Sequence, residues 1–285
     1  MGILFAVTAL FAWGLGDFLI QRSARKFGDW LSLFYVTAFA AIVLFPFVWK
    51  DITAAVNEQG PLLLLVSVVI FVAALWDFEA LKEGKISVVE PIYAMEIPIT
   101  AVLALVVIRE ALTPLQVGLI IVSVIGIFLI TTRSFGHFKH VRLERGIWYA
   151  ILATFGMGLS NFLFGFSSRE LEPLIIVWVT SMFMASACFV YLTVNGRLRE
   201  VARDFRHHKR LIVNMGFFDT LAWVSFSYAC LYLPIAIATS ISEAYIVLAA
   251  GLGLVFNREK LKPHQYLGFA LAVVALIVLA SVTEG

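Results

Sequence analysis

The chain has 285 residues, of which 61% are hydrophobic and 14% charged, with a mean hydropathy of +0.96. Ordinary soluble domains carry about 25% charged and roughly 45–50% apolar residues, so the composition excludes an aqueous globular fold and makes a bilayer the natural solvent. The net charge of +2 is too small to call for nucleic acid as a partner. Cys188 and Cys230 both fall inside apolar stretches, which excludes a disulfide framework and a zinc site. No cofactor and no metal is implied.

Apolar runs broken by charges, Pro or Gly predict ten membrane spans, near 3–23, 29–49, 61–81, 86–108, 114–132, 146–168, 173–194, 211–231, 235–256 and 262–283. Each is long enough for the ~20 apolar residues that a bilayer crossing requires, and in lipid each must be a helix. The first begins at Met1–Gly2 with no basic leader and reads as a mature span rather than a removed signal peptide. Of the 21 Lys and Arg residues, only Lys50, Arg109 and Arg169 lie outside the loops that follow the odd-numbered spans. The positive-inside rule therefore puts those loops in the cytoplasm and both termini outside. The stretch from Arg197 to Arg210 lies in the longest predicted loop and reads as a basic surface facing anionic lipid.

The chain repeats itself. Arg109-Glu110-Ala111-Leu112-Thr113-Pro114-Leu115-Gln116 recurs as Arg258-Glu259-Lys260-Leu261-Lys262-Pro263-His264-Gln265, with five identities in eight. Asp17-Phe18-Leu19 likewise matches Asn161-Phe162-Leu163, each preceded by two glycines, Gly14 and Gly16 or Gly156 and Gly158. Five spans separate equivalent positions, so the second copy is inverted. Inverted repeats around a midplane site are the architecture of secondary transporters. The expectation is an all-α integral membrane protein of ten transmembrane helices in two inverted five-helix repeats, 1–140 and 141–285.

A doubled Arg-Glu-x-Leu-x-Pro-x-Gln stretch opening the last helix of each five-helix half resembles the EamA branch of the drug/metabolite transporter superfamily, over essentially the whole chain. The resemblance implies that helices 1–4 and 6–9 enclose a cavity, with helices 5 and 10 peripheral or at a homodimer interface. It also implies a prokaryotic inner or plasma membrane location and a small-molecule substrate. It does not identify that substrate.

Charges deep in a membrane helix are costly and mark functional candidates. Glu96 lies about ten residues into span 4, roughly 15 Å along the helix. Glu243 in span 9 and Asp219 in span 8 lie about eight residues in, roughly 12 Å. Spans 4 and 9 are repeat-related, so Glu96 and Glu243 are expected to face one cavity from opposite halves. Two carboxyls there would repel if both were ionised, which favours holding a proton between them. The alternative is a protonated carboxyl that braces a neighbouring helix. Asp17, Asp77, Glu79 and Glu90 lie nearer span ends, where snorkelling or local pairing competes with function, but Asp17 has a polar repeat mate in Asn161.

Trp13 and Asp17, and likewise Asp219 and Trp223, stand four residues apart and share a helix face. An aromatic ring beside a carboxylate suits an organic cation, and Tyr93 and Tyr245 add hydroxyls near Glu96 and Glu243. A neutral or zwitterionic metabolite would use Ser240, Ser242 and Asn161 instead. Pro98 deprives the Ala94 carbonyl of its usual helical partner and is expected to break or bend span 4.

Three other functions compete. A cation channel or divalent-cation permease would use the same acids. Gly14-Leu15-Gly16-Asp17 matches the short pattern of intramembrane aspartyl proteases, but the Pro-Ala-Leu segment of those enzymes occurs nowhere. The histidines fall in predicted loops or, for His264, at the very start of the last span, which removes a membrane Ser–His dyad. The sequence therefore predicts a non-enzymatic, proton-coupled secondary carrier of a small organic molecule, favouring a cationic or amine-bearing one. Its predicted binding residues are Glu96, Glu243, Asp219, Trp13, Trp223, Tyr93, Tyr245, Asp17, Asn161 and Ser242, with Glu96 and Glu243 coupling protons.

Overall fold

The computed structural model describes residues 1–83, 92–132, 145–245, 247–248 and 262–284. Glu90, Pro91, the 140/141 repeat boundary and Arg258-Glu259-Lys260-Leu261 lie outside the described residues. Every described element is an α-helix: α1 Gly2–Phe27, α2 Asp29–Val48, α3 Ile52–Glu83, α4 Glu96–Val107, α5 Pro114–Thr131, α6 Arg145–Glu170, α7 Pro173–Val194, α8 Leu198–Tyr232, α9 Ile235–Ser242 and α10 Pro263–Glu284. Among the described residues, α1, α2, α3, α5, α6, α7 and α10 are long and apolar enough to cross a membrane, while α4 is apolar but shorter. The chain is a multi-pass membrane protein.

Most helix bounds follow the predicted spans to within a few residues, and the exceptions have local causes. The predicted loop before span 3 is helical from Ile52, with a break at Gln59 (φ −129°) just ahead of Pro61, whose ring and missing N–H interrupt the ladder. The predicted loop before span 8 is helical from Leu198 and bends at His208 (φ −129°). Its apolar residues recur every three or four positions, a pattern that supports a helix as readily outside the bilayer as in it.

The repeated Pro-x-Gln motif is a helix start. In α5, Pro114 stands at the first helical position and Gln116 Oε1 accepts from the Thr113 amide at 2.9 Å. The Thr113 hydroxyl accepts in return from the Gln116 amide at 3.2 Å, closing a capping box. In α10, Gln265 Oε1 accepts from the Lys262 amide at 3.0 Å, and its Nε2 reaches the Ile130 carbonyl at the far end of α5, at 2.7 Å. The two helices lie side by side along their length. Gly126 and Gly268 form the seam: a Cβ added at Gly126 would stand 2.7 Å from the Ala272 backbone nitrogen, and one at Gly268 would stand 2.6 Å from the Gly126 carbonyl oxygen.

The remaining helix pairs obey one rule. Helix α1 packs on α8 as α6 packs on α3, and α4 packs on α6 as α9 packs on α1. Pairs α2–α7, α5–α10 and α4–α9 map onto themselves when each helix is exchanged for the one five places away.

Both ends of the bundle are tied by polar groups. At the α1–α2 end, Lys82 bonds Glu79 at 2.8 Å and Asp29 at 3.2 Å, and the Glu79 carboxylate holds the Lys82 ammonium above its ordinary range. The Ser23 and Ser32 hydroxyls meet at 2.7 Å. At the α4–α5 end, Arg109 adopts the left-handed region (φ 52°), which costs a non-glycine residue about 1–2 kcal/mol. That turn returns the Glu110 amide to the Ala104 carbonyl at 3.1 Å and delivers the Glu110 carboxylate, 5% exposed, to the start of α9. There it accepts from the Ile235 and Ala236 amides at 2.8 and 3.1 Å and from Arg169 at 2.7 Å. Arg169 in turn donates to the Cys230 and Leu233 carbonyls at the end of α8, at 3.2 and 3.1 Å.

Three substitutions test these features. Gly126→Ala overfills the seam and is expected to destabilise the protein by about 1–3 kcal/mol. Gly118→Ala, where nothing lies within 4 Å of an added Cβ, is expected to be neutral or slightly stabilising, both read as Tm in detergent by tryptophan fluorescence. Glu110→Gln keeps the shape but loses the charge on two amides and a guanidinium, and is expected to cost about 1.5–3 kcal/mol by the same measurement.

Candidate functional site

Helical backbone is interrupted at both Glu96 and Glu243. Ala94 and Met95 form a turn, and α4 begins at Glu96. Its third residue is Pro98, so the missing proline N–H falls where no helical partner is required and the predicted break takes the form of a fresh helix start. Helix α9 ends at Ser242, and Glu243 and Ala244 form a turn before helical backbone resumes at Tyr245. Irregular backbone at membrane depth is tolerated only where protein or a cavity surrounds it, and α4 and α9 pack on each other there.

Helix α6 runs past both breaks. A Cβ on Gly158 would touch Ile99 at 2.7 Å and approach the Glu96 carbonyl oxygen at 3.3 Å, and the Thr100 hydroxyl donates to the Gly158 carbonyl at 2.9 Å. Three residues on, the Asn161 side chain, 1% exposed, donates from Nδ2 to Glu243 Oε1 at 2.9 Å. Glu96, 8% exposed, and Glu243 thus converge on one turn of α6 from opposite halves. Asp77 joins this group, within electrostatic range of Glu243, and the Tyr93 hydroxyl donates to the Asp77 carbonyl oxygen at 3.4 Å. Of the alternatives open for Asp77, local pairing with Lys82 is not the one adopted: Lys82 goes to Glu79 and Asp29. Spacing carries that signal, since positions 79 and 82 share a helix face whereas 77 and 82 lie about 140° apart around the axis.

Asp219 belongs to a second locus. It lines a small cavity of about 20 Å³ with Trp223, Phe164, the hydroxyl-bearing Thr37, Thr180 and Ser181, and the apolar Ile70, Val177 and Met184. The Trp223 side chain lines the same cavity as the Asp219 carboxylate. Its ring packs on Phe164 at 4.6 Å and edge-on to Trp13 at 5.3 Å. Among the described residues no Lys or Arg lines this cavity. Helices α2 and α7 supply five of its residues, Thr37, Val177, Thr180, Ser181 and Met184, although the sequence marked no candidate residue on either helix.

The predicted residues are therefore divided between two places. Glu96, Glu243, Asn161 and Tyr93 gather at the helix breaks, while Asp219, Trp223 and Trp13 gather at the cavity. Phe164 and Asn161 stand three apart on α6, so the loci adjoin. Helix α1 runs along both: Gly14 lies against Tyr245, and Gly16 lies 3.6 Å, as an added Cβ, from the Asp219 amide nitrogen. Asp17 follows on the same helix, half-buried. Ser242 is fully buried and donates to the Ala6 carbonyl at 3.2 Å, and Ser240 donates to Ala236 at 2.7 Å, so both hydroxyl protons are spent on backbone. Among the described residues no group of three or more His, Cys, Asp or Glu side chains is placed to hold a metal ion.

Comparison with known proteins addresses the architecture. No curated protein matches the chain. A solved structure titled only as the crystal structure of a protein aligns over 99% of this chain and 97% of its own, with a TM-score of 0.78 at 13% identity, a likeness of fold alone. The model of the EamA-like transporter family matches residues 1–132 and 144–281. With nearly the whole length matched and the helices apolar throughout, the chain belongs to the EamA-like transporter family and is a transmembrane transporter of the drug/metabolite type.

Proposed function

We propose that the protein is a secondary carrier of ten membrane helices, built as two inverted five-helix repeats that rock around a midplane site. The family match in two blocks, the recurring sequence motif and the helix pairs that exchange under a shift of five support the repeats. The proposed substrate is a small organic cation or amine. The observation that carries this reading is the Asp219 cavity, where a carboxylate, two aromatic faces and three hydroxyl side chains converge with no cationic side chain beside them. An ammonium there gains the carboxylate's charge and about 0.5–2 kcal/mol from a ring face.

Glu96 and Glu243 take the coupling role. They sit at broken helices next to the cavity, and the Asn161 amide and the neighbouring Asp77 give Glu243 a partner and a competing charge. A proton held there is displaced as the cation arrives one turn of α6 away, which links substrate movement to the proton gradient. Lower external pH is then expected to oppose binding of the cation, because proton and substrate neutralise the same group of carboxylates. A channel would need a continuous wet path with acids lining it, whereas these acids are held by neighbouring helices.

The reading is tested by ligand-induced stabilisation across a panel of amines, amino acids and nucleosides. A ligand at one hundred times its Kd adds about 2.7 kcal/mol of stability. An amine is expected to raise Tm, more strongly at higher pH, and Asp219→Asn is expected to abolish the shift while leaving the unliganded protein folded. In proteoliposomes, Glu96→Gln and Glu243→Gln are expected to lose proton-driven uptake while retaining amine-induced stabilisation. Amine shifts that survive Asp219→Asn, or wild-type pH dependence in both glutamate variants, would overturn the proposal. Orientation is checked separately: a thiol reagent confined to the outside is expected to label Lys50→Cys in intact cells and Gly196→Cys only after permeabilisation.

A further inference from the structure

Helix α8 extends well beyond the membrane-spanning part that carries Asp219. Its first eleven residues, Leu198–His208, precede the bend at His208 and follow the end of α7 by only Asn195, Gly196 and Arg197. Gly196 adopts a positive φ of 67°, a conformation glycine takes at little cost, and the Arg197 amide returns to the Leu192 carbonyl at 2.8 Å. The segment therefore leaves α7 at the membrane surface.

Around this segment, at about 100° per residue, the side chains sort into four arcs. Val201 and His208 face the protein: Tyr35 donates to the Val201 carbonyl at 3.0 Å, and the His208 ring lies 5.4 Å from Phe27. Next come Phe205, Leu198 and Ala202, an apolar strip left exposed, with Phe205 at 46% and Leu198 at 36%. Beside the strip run Arg206, Arg199 and Arg203, all exposed. The acids Glu200 and Asp204 complete the circle on the far side, turned toward Arg197 at 2.8 Å and Arg203 at 3.0 Å. Arg199, Arg206 and, past the bend, Arg210 have no ion-pair partner among the described residues.

We propose that Leu198–His208 is an interfacial helix that binds the anionic phospholipid headgroups of the leaflet it faces. An apolar strip flanked by arginines is the arrangement that seats a helix in the plane of the interface, the strip entering the acyl boundary and the guanidinium groups remaining among phosphates. The charge is complementary to that surface: the unpaired Arg199 and Arg206 flank the exposed apolar strip, and both acids lie across the helix from it, held by Arg197 and Arg203. Because the segment is continuous with the helix that carries Asp219, lipid held here fixes the footing of the substrate cavity. The inference is independent of which molecule is transported.

The test uses the full-length protein in nanodiscs of phosphatidylcholine with and without phosphatidylglycerol. An environment-sensitive dye is attached at Phe205→Cys or at His207→Cys; native Cys188 and Cys230 are buried and stay unlabelled. Bromine-bearing lipid is expected to quench the dye at position 205 severalfold more than at 207, and more in discs that contain phosphatidylglycerol. In detergent, titration with fluorescent phosphatidylglycerol is expected to show an affinity that falls about fivefold for each arginine replaced in the series Arg199→Gln, Arg206→Gln and Arg210→Gln, with Tm unchanged. Equal quenching at 205 and 207, quenching indifferent to phosphatidylglycerol, or a triple variant with wild-type lipid affinity would each overturn the proposal. Any loss of affinity accompanied by a lowered Tm is resolved by the dye positions, which leave the arginines intact.

Discussion

The placement of everything near the midplane depends on one carboxylate at the edge of the bundle. A helix that begins inside a membrane protein has amides with no partner and no water to supply one. Helix α9 begins this way after Pro234, and Glu110 from the other half of the chain accepts from its first two amides while neutralising Arg169. Negative charge at a helix N-terminus also complements the helix dipole. Since α9 is only eight residues long, wherever Glu110 anchors its start determines where Glu243 ends up. A strained left-handed Arg109 persists because the surrounding bonds over-determine it, and what it supplies is the aim of the next residue.

From that anchor the site reads as a set of shared walls. Helix α6 presents a face of small residues that lets the Glu96 break come close, then Asn161 for Glu243, then Phe164 for the cavity of Asp219. Two of the charged side chains have partners that limit their desolvation cost: Glu243 has its amide donor, and Lys82 its two carboxylates at the far end. The charges that remain at mid-depth are all acidic, and that imbalance is the feature a cationic substrate would complete.

Much of this could be read in the amino-acid sequence, for reasons that also explain what could not. Span limits are written in composition, and the repeat in residues such as the Pro-x-Gln pair, because both are local. The depth of Glu96, Glu243 and Asp219 follows from counting along a helix. Which way a side chain faces does not: a helix that is apolar on all sides has no periodic stripe to mark its inner face, so neither the residues that α2 and α7 contribute nor the separation of Tyr93 from Trp13 was legible. Asp77 was left open between pairing and function because its closeness in sequence to Lys82 was not weighed against the angular offset between them. Helix Leu198–His208 was taken as a loop because its charges were counted without their spacing.

The glycine seam between α5 and α10 has a consequence for the surrounding lipid. Two helices of ordinary side chains meet with grooves along their junction, into which acyl chains can fit. Where Gly126 and Gly268 bring backbone against backbone, that groove is closed, and the last helices of the two halves present a single broad ribbon to the bilayer. A ribbon tilts as one body when the membrane thickens or thins, so mismatch with the bilayer is met by both halves of the protein at once and in the same direction.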